Sequence, residues 1–295
     1  MKIGVLGVGN MGRPISEHLS ELGETLLLWN RTPNRALGVG NSTIMATPSE
    51  VAAQAEIIVS ILANDDAIYS VYHGPDGILK ADLTGKTVIE LCTTSPETVI
   101  ALEKEVVARG GLFLECPVSG NVVPARSGQL MGLAGGSIAA FKSAQPLLSK
   151  MTRRLEHIGP VGCGAAMKLA VNLPLMVYWS ALGEALGLAM AKGVDPKLAL
   201  DILGDSSGAI GAAKKRMPPI LNMLVSGDPG EVSFSLTNAI KDMKLMEDLA
   251  INSGMPNEVI SSVRAKAEQA AENGWAQFDN SLVGVAKLSA KKVTL

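Results

Sequence analysis

Short apolar runs alternate with amphipathic segments through the first half of the chain. The apolar runs are too short for helices and predict buried strands. They are Lys2–Leu6, Glu24–Trp29, Glu56–Leu62, Thr87–Leu91, Leu112–Cys116, Leu130–Ala134 and Leu155–Ile158. Segments between several of these runs repeat apolar residues at helical spacing, at Pro14–Leu22, Thr47–Gln54, Asp65–Tyr72, Pro96–Arg109 and Ala139–Lys150. This alternation predicts an α/β fold with a doubly wound, mostly parallel sheet and helices on both faces.

After Gly164 the strand pattern stops. Ala165–Lys192 is one long helical segment rich in Leu, Ala and Met, and further helices are predicted at Pro196–Leu203, Ile210–Leu224, Leu236–Asn252, Pro256–Asn273 and Ser281–Lys291. We therefore predict a sheet domain at residues 1–162 and an all-α C-terminal domain at residues 163–295, joined by a long interdomain helix. The apolar helices are explained either by burial in a homodimer or homotetramer or by packing within one chain, and the sequence leaves both open.

Composition excludes several classes of function. The 295 residues carry a net charge of −2, which gives no electrostatic reason to expect a nucleic acid partner. Three cysteines without a C-x-x-C pair indicate free thiols in a reducing, cytoplasmic setting. The longest apolar stretch, Leu169–Gly183, is too short for a membrane span, so we expect a buried helix and no membrane partner. No metal site is predicted.

A glycine-rich segment, Gly7-Val8-Gly9-Asn10-Met11-Gly12, lies between the first predicted strand and the first predicted helix. Glycines at this spacing let the backbone turn tightly and approach a pyrophosphate, while the helix N-terminus supplies free N–H groups and partial positive charge. We therefore predict a Rossmann domain in which Gly7, Gly9, Asn10, Met11 and Gly12 bind a dinucleotide. The alternative is a glycine turn in an α/β protein that binds no nucleotide.

The end of the second predicted strand indicates which dinucleotide is bound. An NAD site usually has a carboxylate there, which binds the ribose hydroxyls. Here Asn30, Arg31, Thr32 and Arg35 occupy this region without a carboxylate. Because guanidinium groups bind phosphate in a bidentate way, we predict NADP(H) with its 2′-phosphate near Arg31. The alternative is that Arg31 and Arg35 are surface charges only.

Lys168 is the candidate acid–base residue. It lies near the start of the long helix, and Asn172 follows one turn later on the same face, with Leu175 and Trp179 beyond it. An ammonium in the crevice between the two domains can hydrogen-bond a carbonyl oxygen and donate a proton as a hydride arrives. Trp179 would contribute an apolar wall for the substrate. The alternative is a lysine that only extends to solvent at a helix start.

Histidines are common acid–base residues in dehydrogenases, but none is well placed here. We expect His18 in the first helix, His73 in a surface loop and His157 inside an apolar strand. These settings are typical of structural histidines.

A turn at Ser119-Gly120-Asn121 follows the fifth predicted strand. Backbone N–H groups exposed by such a turn can hold a carboxylate, so these residues are candidate substrate ligands. The alternative is a plain turn at the exit of a strand.

Together these motifs resemble the β-hydroxyacid dehydrogenase family, which includes 3-hydroxyisobutyrate dehydrogenases, tartronate semialdehyde reductases and glyoxylate/succinic semialdehyde reductases. The resemblance covers nearly the whole chain. The segment at residues 7–14 is similar to the family's cofactor fingerprint, and residues 115–120 resemble its D-A-P-V-S-G segment. Gly164 to Asn172 resembles G-x-x-x-K-x-x-x-N, and Phe234 with Lys241-Asp242 resembles the C-terminal motif beside the cofactor.

The resemblance implies a Rossmann domain, a long connecting helix and a helical domain. It implies that Lys168 is the general acid, that Asn172 orients the substrate, and that Ser119, Gly120 and Asn121 hold its carboxylate. It also implies that Lys241 lies near the cofactor and that Leu62, Ala63, Asn64 and Thr93 line the cofactor groove. The segment at residues 29–32 resembles the NADPH-dependent semialdehyde reductase branch.

Several residues depart from the family pattern. Glu115 replaces the usual Asp, Cys116 the usual Ala, and Cys92 a common Ser. Asn121 stands where Gly is common, which changes the carboxylate pocket. Pro174 removes a backbone hydrogen bond and is expected to kink the catalytic helix.

The first functional hypothesis is an NADPH-dependent reductase of small aldehydes that carry a carboxylate, or the reverse oxidation of a 3-hydroxy acid. The second is an imine reductase, a related group that usually has Asp or Tyr in place of the lysine, and Tyr178 keeps this hypothesis open. The third is a scaffold that keeps only the fold, which loss of the lysine would indicate. Lys168 favours the first.

Overall fold

Nine strands form one sheet in the first part of the chain. They are β1 (Lys2–Leu6), β2 (Thr25–Trp29), β3 (Ser42–Ile44), β4 (Ile57–Ser60), β5 (Thr87–Glu90), β6 (Leu112–Glu115), β7 (Val118–Ser119), β8 (Leu130–Gly136) and β9 (Thr152–Gly159). Their order is β3-β2-β1-β4-β5-β6-β8-β7, and β9 pairs with β8. The computed structural model describes residues 1–286 and 288.

The first six strands are parallel, and β8 runs antiparallel to both β6 and β7. Strands β4 and β5 are buried at every residue, as expected where helices cover both faces of a parallel sheet. The predicted doubly wound, mostly parallel sheet is therefore confirmed. Strand order reverses between β1 and β4, and ligands of such sheets bind outside the carboxyl ends of the strands at this reversal.

Six helices surround the sheet: α1 (Gly12–Glu21), α2 (Pro48–Gln54), α3 (Asp65–His73), α4 (Pro96–Val107), α5 (Val122–Arg126) and α6 (Ile138–Met151). Side chains of Thr47, Asn64, Ser95 and Ser137 cap α2, α3, α4 and α6 by accepting a hydrogen bond from the first-turn backbone. Short 3₁₀ turns lie at Pro33–Ala36 and Ile78–Lys80.

Successive residues of the strands face two separate apolar cores, one on each side of the sheet. Val59 and Ile89 belong to one core, whereas their neighbours Ile58 and Val88 belong to the other. This is the two-residue period of a pleated strand buried on both faces. The burial holds the strand ends, and the loops that follow them, in fixed positions.

The second part of the chain is helical. Helix α7 (Cys163–Met190) is followed by α8 (Pro196–Asp205), α9 (Ala213–Ser226), α10 (Leu236–Asn252) and α11 (Glu258–Ala270). A wide turn at Ala271–Trp275 and a 3₁₀ turn at Asn280–Val285 follow. The chain divides into two compact units, Met1–Lys168 and a second that begins at Leu169. The boundary expected at residues 162–163 stays a prediction.

Some local expectations differ from the structure. His73 ends helix α3 and does not lie in a loop, because Asn64 caps a helix that continues to it. The final helix expected at Ser281–Lys291 differs at its start, where a 3₁₀ turn spans residues 280–285; Ala286 and Leu288 are helical, and positions 287 and 289–291 lie outside the described residues. Strands β3 and β7 and helix α5 were not predicted, because they are too short to establish a period.

Helix α7 is longer than its apolar stretch. Its 28 residues are long and apolar enough to cross a membrane by length and composition, so length alone does not distinguish it from a membrane span. Leu169, Met176 and Leu186 from this helix are buried in the cores of the second unit. The helix continues through Pro174, which cannot donate a backbone hydrogen bond to the preceding turn.

Asp279 joins three segments of the second unit. Its Oδ2 accepts hydrogen bonds from the backbone N–H groups of Ser233 (2.9 Å) and Phe234 (3.2 Å), and its Oδ1 accepts from the Ser281 hydroxyl (2.7 Å). Arg216 lies 3.5 Å away on α9. Burial alone would raise the pKa of Asp279, but the hydrogen bonds from Ser281 and Ser233 and the Arg216 charge outweigh it and lower the pKa from 3.8.

We expect Asp279→Ala to reduce the free energy of unfolding by about 3 kcal/mol, because it leaves a guanidinium and several N–H groups without their partner. The loss, measured by urea unfolding, is expected in full at neutral pH. It should diminish as the pH falls through the lowered pKa, where the wild-type carboxylate is itself neutralised. Asp201→Ala, an exposed position on α8, is the control. Equal stability of the two variants would contradict the prediction.

Candidate active site

The turn from β1 into α1 has no room for side chains at two glycines. A Cβ on Gly7 would lie 2.2 Å from the carbonyl oxygen of Ile61, and a Cβ on Gly12 would lie 1.8 Å from the carbonyl oxygen of Gly7. Gly7 also has a φ of +103°, a conformation that favours glycine. Gly12 therefore allows the start of α1 to lie directly against the end of β1, and Gly7 allows that end to lie against Ile61, which follows β4.

Gly9 has a different role, because the protein itself does not require a glycine there. A Cβ at Gly9 would meet no atom within 4 Å, and its φ is not in the left-handed region. The missing side chain leaves open space at the N-terminus of α1, where Met11 precedes the first turn without a side-chain cap. Free N–H groups beside such a space fit a pyrophosphate, so this segment can hold a dinucleotide.

Asn30 links the glycine turn to the end of β2. Its Oδ1 accepts a hydrogen bond from the N–H of Val8 (2.9 Å), and its Nδ2 donates to the carbonyl of Thr32 (2.9 Å). Arg31 and Thr32 follow on an exposed loop, and Arg35 is exposed on the 3₁₀ turn. Asn30 thus orders the loop on which the predicted phosphate ligands lie.

Arg13 was not predicted as a site residue, although it directly follows the last glycine of the glycine-rich segment. Its Nη1 donates to the carbonyls of Arg35 (2.9 Å) and Leu37 (3.1 Å), and its Nε donates to Glu17 (2.8 Å). It therefore holds the turn that carries Arg35 against α1. A cavity of about 290 Å³ opens here, lined by Val8, Gly9, Asn10, Arg13, Pro14, Arg35, Val122 and Arg126. Its three guanidinium groups make this region of the first unit basic.

The carboxyl ends of β4 and β5 are tied together by a buried network. Leu62 donates its N–H to the Cys92 sulfur (2.8 Å), and Cys92 donates its N–H to Glu90 (3.0 Å). The Tyr72 hydroxyl donates to the other oxygen of Glu90 (3.0 Å). Burial raises the pKa of Glu90, and burial together with the Glu90 charge raises that of Tyr72. The network holds Leu62 beside the segment that contains Thr93.

Asn64 and Asn121 both act as helix caps. Asn64 follows Leu62 and Ala63 directly. Its side chain accepts a hydrogen bond from the N–H of Ala67 (3.0 Å) at the start of α3. Asn121 accepts from the N–H of Val123 (3.3 Å) at the start of α5. Capping occupies one acceptor of each side chain, while the amide NH₂ groups keep their donors. Their predicted cofactor and substrate contacts would be made by those NH₂ groups or by the backbone.

The Ser119-Gly120 segment is constrained from both sides. Ser119 ends strand β7, which pairs with β8 opposite Met131. Gly120 has a φ of +136°, and a Cβ there would lie 2.7 Å from Leu130. This close packing fixes the turn that leads to Asn121.

Helix α7 carries Lys168 and Asn172 one turn apart, and both side chains are nearly buried, with exposures of 7% and 9%. Trp179, expected to form an apolar wall for the substrate, is 4% exposed and packs in the core of the second unit with Leu182 and Ile220. Its role in substrate binding stays a prediction.

Asp242 was not among the predicted site residues. Its Oδ2 accepts a hydrogen bond from the amide of Asn172 (3.2 Å), its Oδ1 lies 3.0 Å from the ammonium of Lys241, and it is 1% exposed. The Lys-Asp pair of the C-terminal motif was the available sequence signal. A buried carboxylate thus connects two of the predicted residues, Asn172 and Lys241, within the second unit.

Comparisons with known proteins agree with these motifs. The family described as the NAD binding domain of 6-phosphogluconate dehydrogenase matches residues 2–159. The family described as NAD-binding of NADP-dependent 3-hydroxyisobutyrate dehydrogenase matches residues 162–285. The mitochondrial 3-hydroxyisobutyrate dehydrogenase of Mus musculus is 31% identical over 285 residues, which cover 95% of this chain and 85% of the relative. Glyoxylate/succinic semialdehyde reductase 1 of Arabidopsis thaliana is 33% identical over 272 residues, covering 92% and 91%.

The chain belongs to the β-hydroxyacid dehydrogenase family.

Solved structures of this family have the same fold. The 3-hydroxyisobutyrate dehydrogenase of Mycobacterium tuberculosis, solved with L-serine, superposes with a TM-score of 0.83 at 26% identity, covering 96% of this chain and 97% of that one. An imine reductase from Pseudomonas sp. gives a TM-score of 0.62 at 19% identity, covering 97% and 99%, a likeness in fold alone. Among residues 1–286 and 288, no group of three or more His, Cys, Asp or Glu side chains could hold a metal ion.

Substitutions in the glycine turn between β1 and α1 should separate cofactor binding from stability. Gly9→Ala should leave thermal stability unchanged, because its Cβ meets nothing in the protein, but should weaken dinucleotide binding about tenfold or more, a loss of about 1.4 kcal/mol. Gly12→Ala should instead destabilise the first unit, because its Cβ would overlap the Gly7 carbonyl.

Thermal melts and titrations with NADPH and NADH measure both effects. Gly211→Ala is the control, since a Cβ there also meets nothing and the position lies in the second unit. Unchanged affinity in Gly9→Ala would count against a pyrophosphate at this loop.

Proposed function

We propose that this chain is an NADPH-dependent reductase that transfers a hydride to a small aldehyde bearing a carboxylate, or runs the reverse oxidation of a 3-hydroxy acid. The observation that carries the proposal is the nearly buried Lys168 with the nearly buried Asn172 one turn further along α7. The names of the relatives support it, since 3-hydroxyisobutyrate, glyoxylate and succinic semialdehyde all carry a carboxylate.

The nicotinamide ring, when bound, supplies the hydride for reduction or accepts it in the reverse direction. The Lys168 ammonium donates a hydrogen bond to the carbonyl oxygen, stabilises the negative charge that develops there, and transfers its proton to give the hydroxyl group. In the oxidative direction the neutral amine takes that proton back. Burial of Lys168 favours this role, because few water molecules compete for its hydrogen bonds.

Asn172 orients the substrate in this proposal. The Asp242 carboxylate accepts from the Asn172 amide, which fixes the rotation of the amide and directs its oxygen away from Asp242. Asp242 also pairs with Lys241, for which we propose a place beside the cofactor. A fixed amide lowers the entropy cost of holding the substrate in a reactive geometry.

The carboxylate of the substrate binds the turn at Ser119, Gly120 and Asn121. Gly120 has a positive φ that favours glycine, and in this proposal the turn presents its backbone N–H groups to the carboxylate, with the Ser119 hydroxyl as a further donor. The Asn121 cap holds the start of α5 in place, so the donors of the turn are arranged before substrate arrives.

The preference for NADPH rests on charge. Arg31 and Arg35 are exposed near the end of β2, and the region from Asn30 to Arg35 contains no carboxylate that would repel a 2′-phosphate. Arg13 holds the turn of Arg35 in position through two backbone carbonyls. The remaining guanidinium of the cavity, Arg126, adds positive charge.

We expect Lys168→Ala to lower kcat by a factor of about 10² to 10⁴, the usual contribution of a general acid, with little change in NADPH affinity. The assay follows NADPH oxidation with glyoxylate, succinic semialdehyde, tartronate semialdehyde and a panel of cyclic imines. Lys192→Ala, an exposed lysine just beyond the end of α7, is the matched control. A variant as active as wild type would remove the proposed acid. Reduction of imines without any turnover of the aldehyde acids would replace the proposal by an imine reductase.

Arg31→Asp should raise the KM for NADPH at least tenfold and change the KM for NADH much less, because the new carboxylate repels the 2′-phosphate and can bind ribose hydroxyls. Steady-state kinetics with both cofactors measure the ratio. Arg153→Asp, exposed on β9, repeats the charge change elsewhere in the first unit. Equal losses for both cofactors, or equal effects of the two variants, would reject the assignment.

A further inference from the structure

Glu115 is a fully buried carboxylate that the proposed chemistry does not use. It ends strand β6 at 0% exposure, beside a core that contains Val161 and Ala165. Burying a carboxylate is costly unless hydrogen bonds satisfy its oxygens. The groups that donate hydrogen bonds to the Glu115 carboxylate therefore indicate its role.

Within residues 1–286 and 288, its hydrogen-bond donors all lie at the start of helix α7. Oε1 accepts from the N–H groups of Gly162 (2.5 Å) and Gly164 (3.0 Å), and Oε2 accepts from that of Ala165 (2.9 Å). The first intrahelical bond runs from the N–H of Ala166 to the Gly162 carbonyl, so these three donors precede the helical ladder and need partners from elsewhere. One side chain from the sheet supplies them, and its negative charge also complements the helix dipole.

Close contacts with neighbouring glycines restrict the Glu115 carboxylate to one position. A Cβ on Gly135 would lie 2.3 Å from Oε1, and a Cβ on Gly164 would lie 3.2 Å from the carboxylate carbon. Gly162 has a φ of +100°, which turns its N–H toward the strand end. Glycines on three sides thus form a cavity fitted to a glutamate.

We propose that Glu115 is a positioning residue that fixes the first turn of α7 and thereby the location of Lys168. Lys168 follows Ala165 by three residues on the same helix, so displacement of the first turn displaces its side chain. The inference rests on the proposed role of Lys168 as the acid. It concerns a glutamate where the family pattern has a shorter aspartate, and this longer side chain reaches three donors.

The charge on Glu115 controls this contact. Burial raises its pKa to about 7, because the three hydrogen bonds only partly offset the loss of water, and the Glu103 charge on α4 raises it further. Other titratable groups occupy adjacent positions. Glu90 is paired with Glu115 in the register of β5 and β6, Cys116 follows Glu115 and has a thiol pKa raised to about 12, and Cys163 is the first residue of α7. A protonated carboxyl replaces one acceptor by an O–H donor, so the contact is complete only above pH 7.

As the pH rises through 7, the contribution of Glu115 to stability should fall while kcat rises. The folded protein keeps the Glu115 proton up to about pH 7, whereas an exposed glutamate releases it near 4.5, so folding favours the protonated form. The stabilisation from this group is full below pH 4.5 and is lost as the pH rises toward 7. If Glu115 had only a structural role, the loss of stability as the pH rises would not be accompanied by a gain in kcat.

The test is Glu115→Gln in the full chain. The amide has one acceptor oxygen, and its NH₂ group opposes an N–H group of the helix, so the variant should resemble the protonated wild type. We expect kcat at pH 8 to fall about tenfold with KM for NADPH within twofold. The rise of kcat near pH 7 should disappear, and so should the fall in melting temperature between pH 4.5 and 7. Hydrogen exchange of the unliganded protein should show faster exchange at residues 162–168.

Glu103→Gln is the matched control, because it removes a nearby charge without touching α7, and it should keep the wild-type kcat at pH 8 and the wild-type exchange. Wild-type kcat, pH profile and exchange in Glu115→Gln would overturn the inference. If that variant does not fold, amide hydrogen exchange of the wild-type protein at two pH values tests the inference instead. After correction for the intrinsic rate, protection of residues 162–168 should be lower at pH 6 than at pH 8, and equal protection would overturn the inference.

Lys168→Ala separates the two proposals. Full activity in Lys168→Ala refutes the proposed acid, whatever the Glu115 variant does. An inactive Lys168→Ala beside a fully active Glu115→Gln refutes the positioning role alone.

Discussion

The close approach of α1 to the end of β1 is the constraint on which the cofactor region depends. Gly12 lacks the side chain that would keep the two backbones apart, because a Cβ there would overlap the Gly7 carbonyl, and Gly7 in turn lacks a side chain that would overlap the Ile61 carbonyl after β4. The helix N-terminus is thereby held at the reversal of strand order, where the ends of β1, β2 and β4 converge. Asn30 then connects this turn to the loop of Arg31. The close packing at these glycines and the two Asn30 hydrogen bonds thus set the geometry of the glycine turn and of its basic neighbour.

Within each unit, buried carboxylates hold other candidate residues in place. Glu90 holds the end of β5, Glu115 caps α7, and Asp242 fixes the amide of Asn172. Each costs free energy to remove from water, and the raised pKa values of Glu90 and Glu115 reflect that cost. Hydrophobic replacements could stabilise the protein more, but they could not bind backbone N–H groups in a defined direction. The site therefore sacrifices some stability for fixed geometry, as functional sites often do.

Local patterns were sufficient to predict the sheet, most helices and the glycine turn, because these depend on residues adjacent in sequence. Strands β3 and β7 and helix α5 are too short to show a period. Asn64 and Asn121 could be recognised as polar residues at strand exits, but their capping bonds depend on the conformation of the turns. The contact of Asn172 with Asp242 joins residues 70 apart, and no local spacing indicates it. The burial of Trp179 likewise follows from tertiary packing around α7.

The position of Asp279 in the sequence affects how the second unit folds during synthesis. Its carboxylate connects Arg216 on α9 with the segment before α10, more than forty residues earlier in the chain. While the ribosome is still adding those residues, α9 and α10 are complete but lack the buried carboxylate that contacts both Arg216 and the backbone of Ser233 and Phe234. The first unit has all of its strands by residue 159 and can fold earlier, as N-terminal domains generally do. We therefore expect nascent chains to pass through a stage with a folded sheet and with helices of the second unit not yet fixed by this carboxylate, when chaperones have most apolar surface to bind.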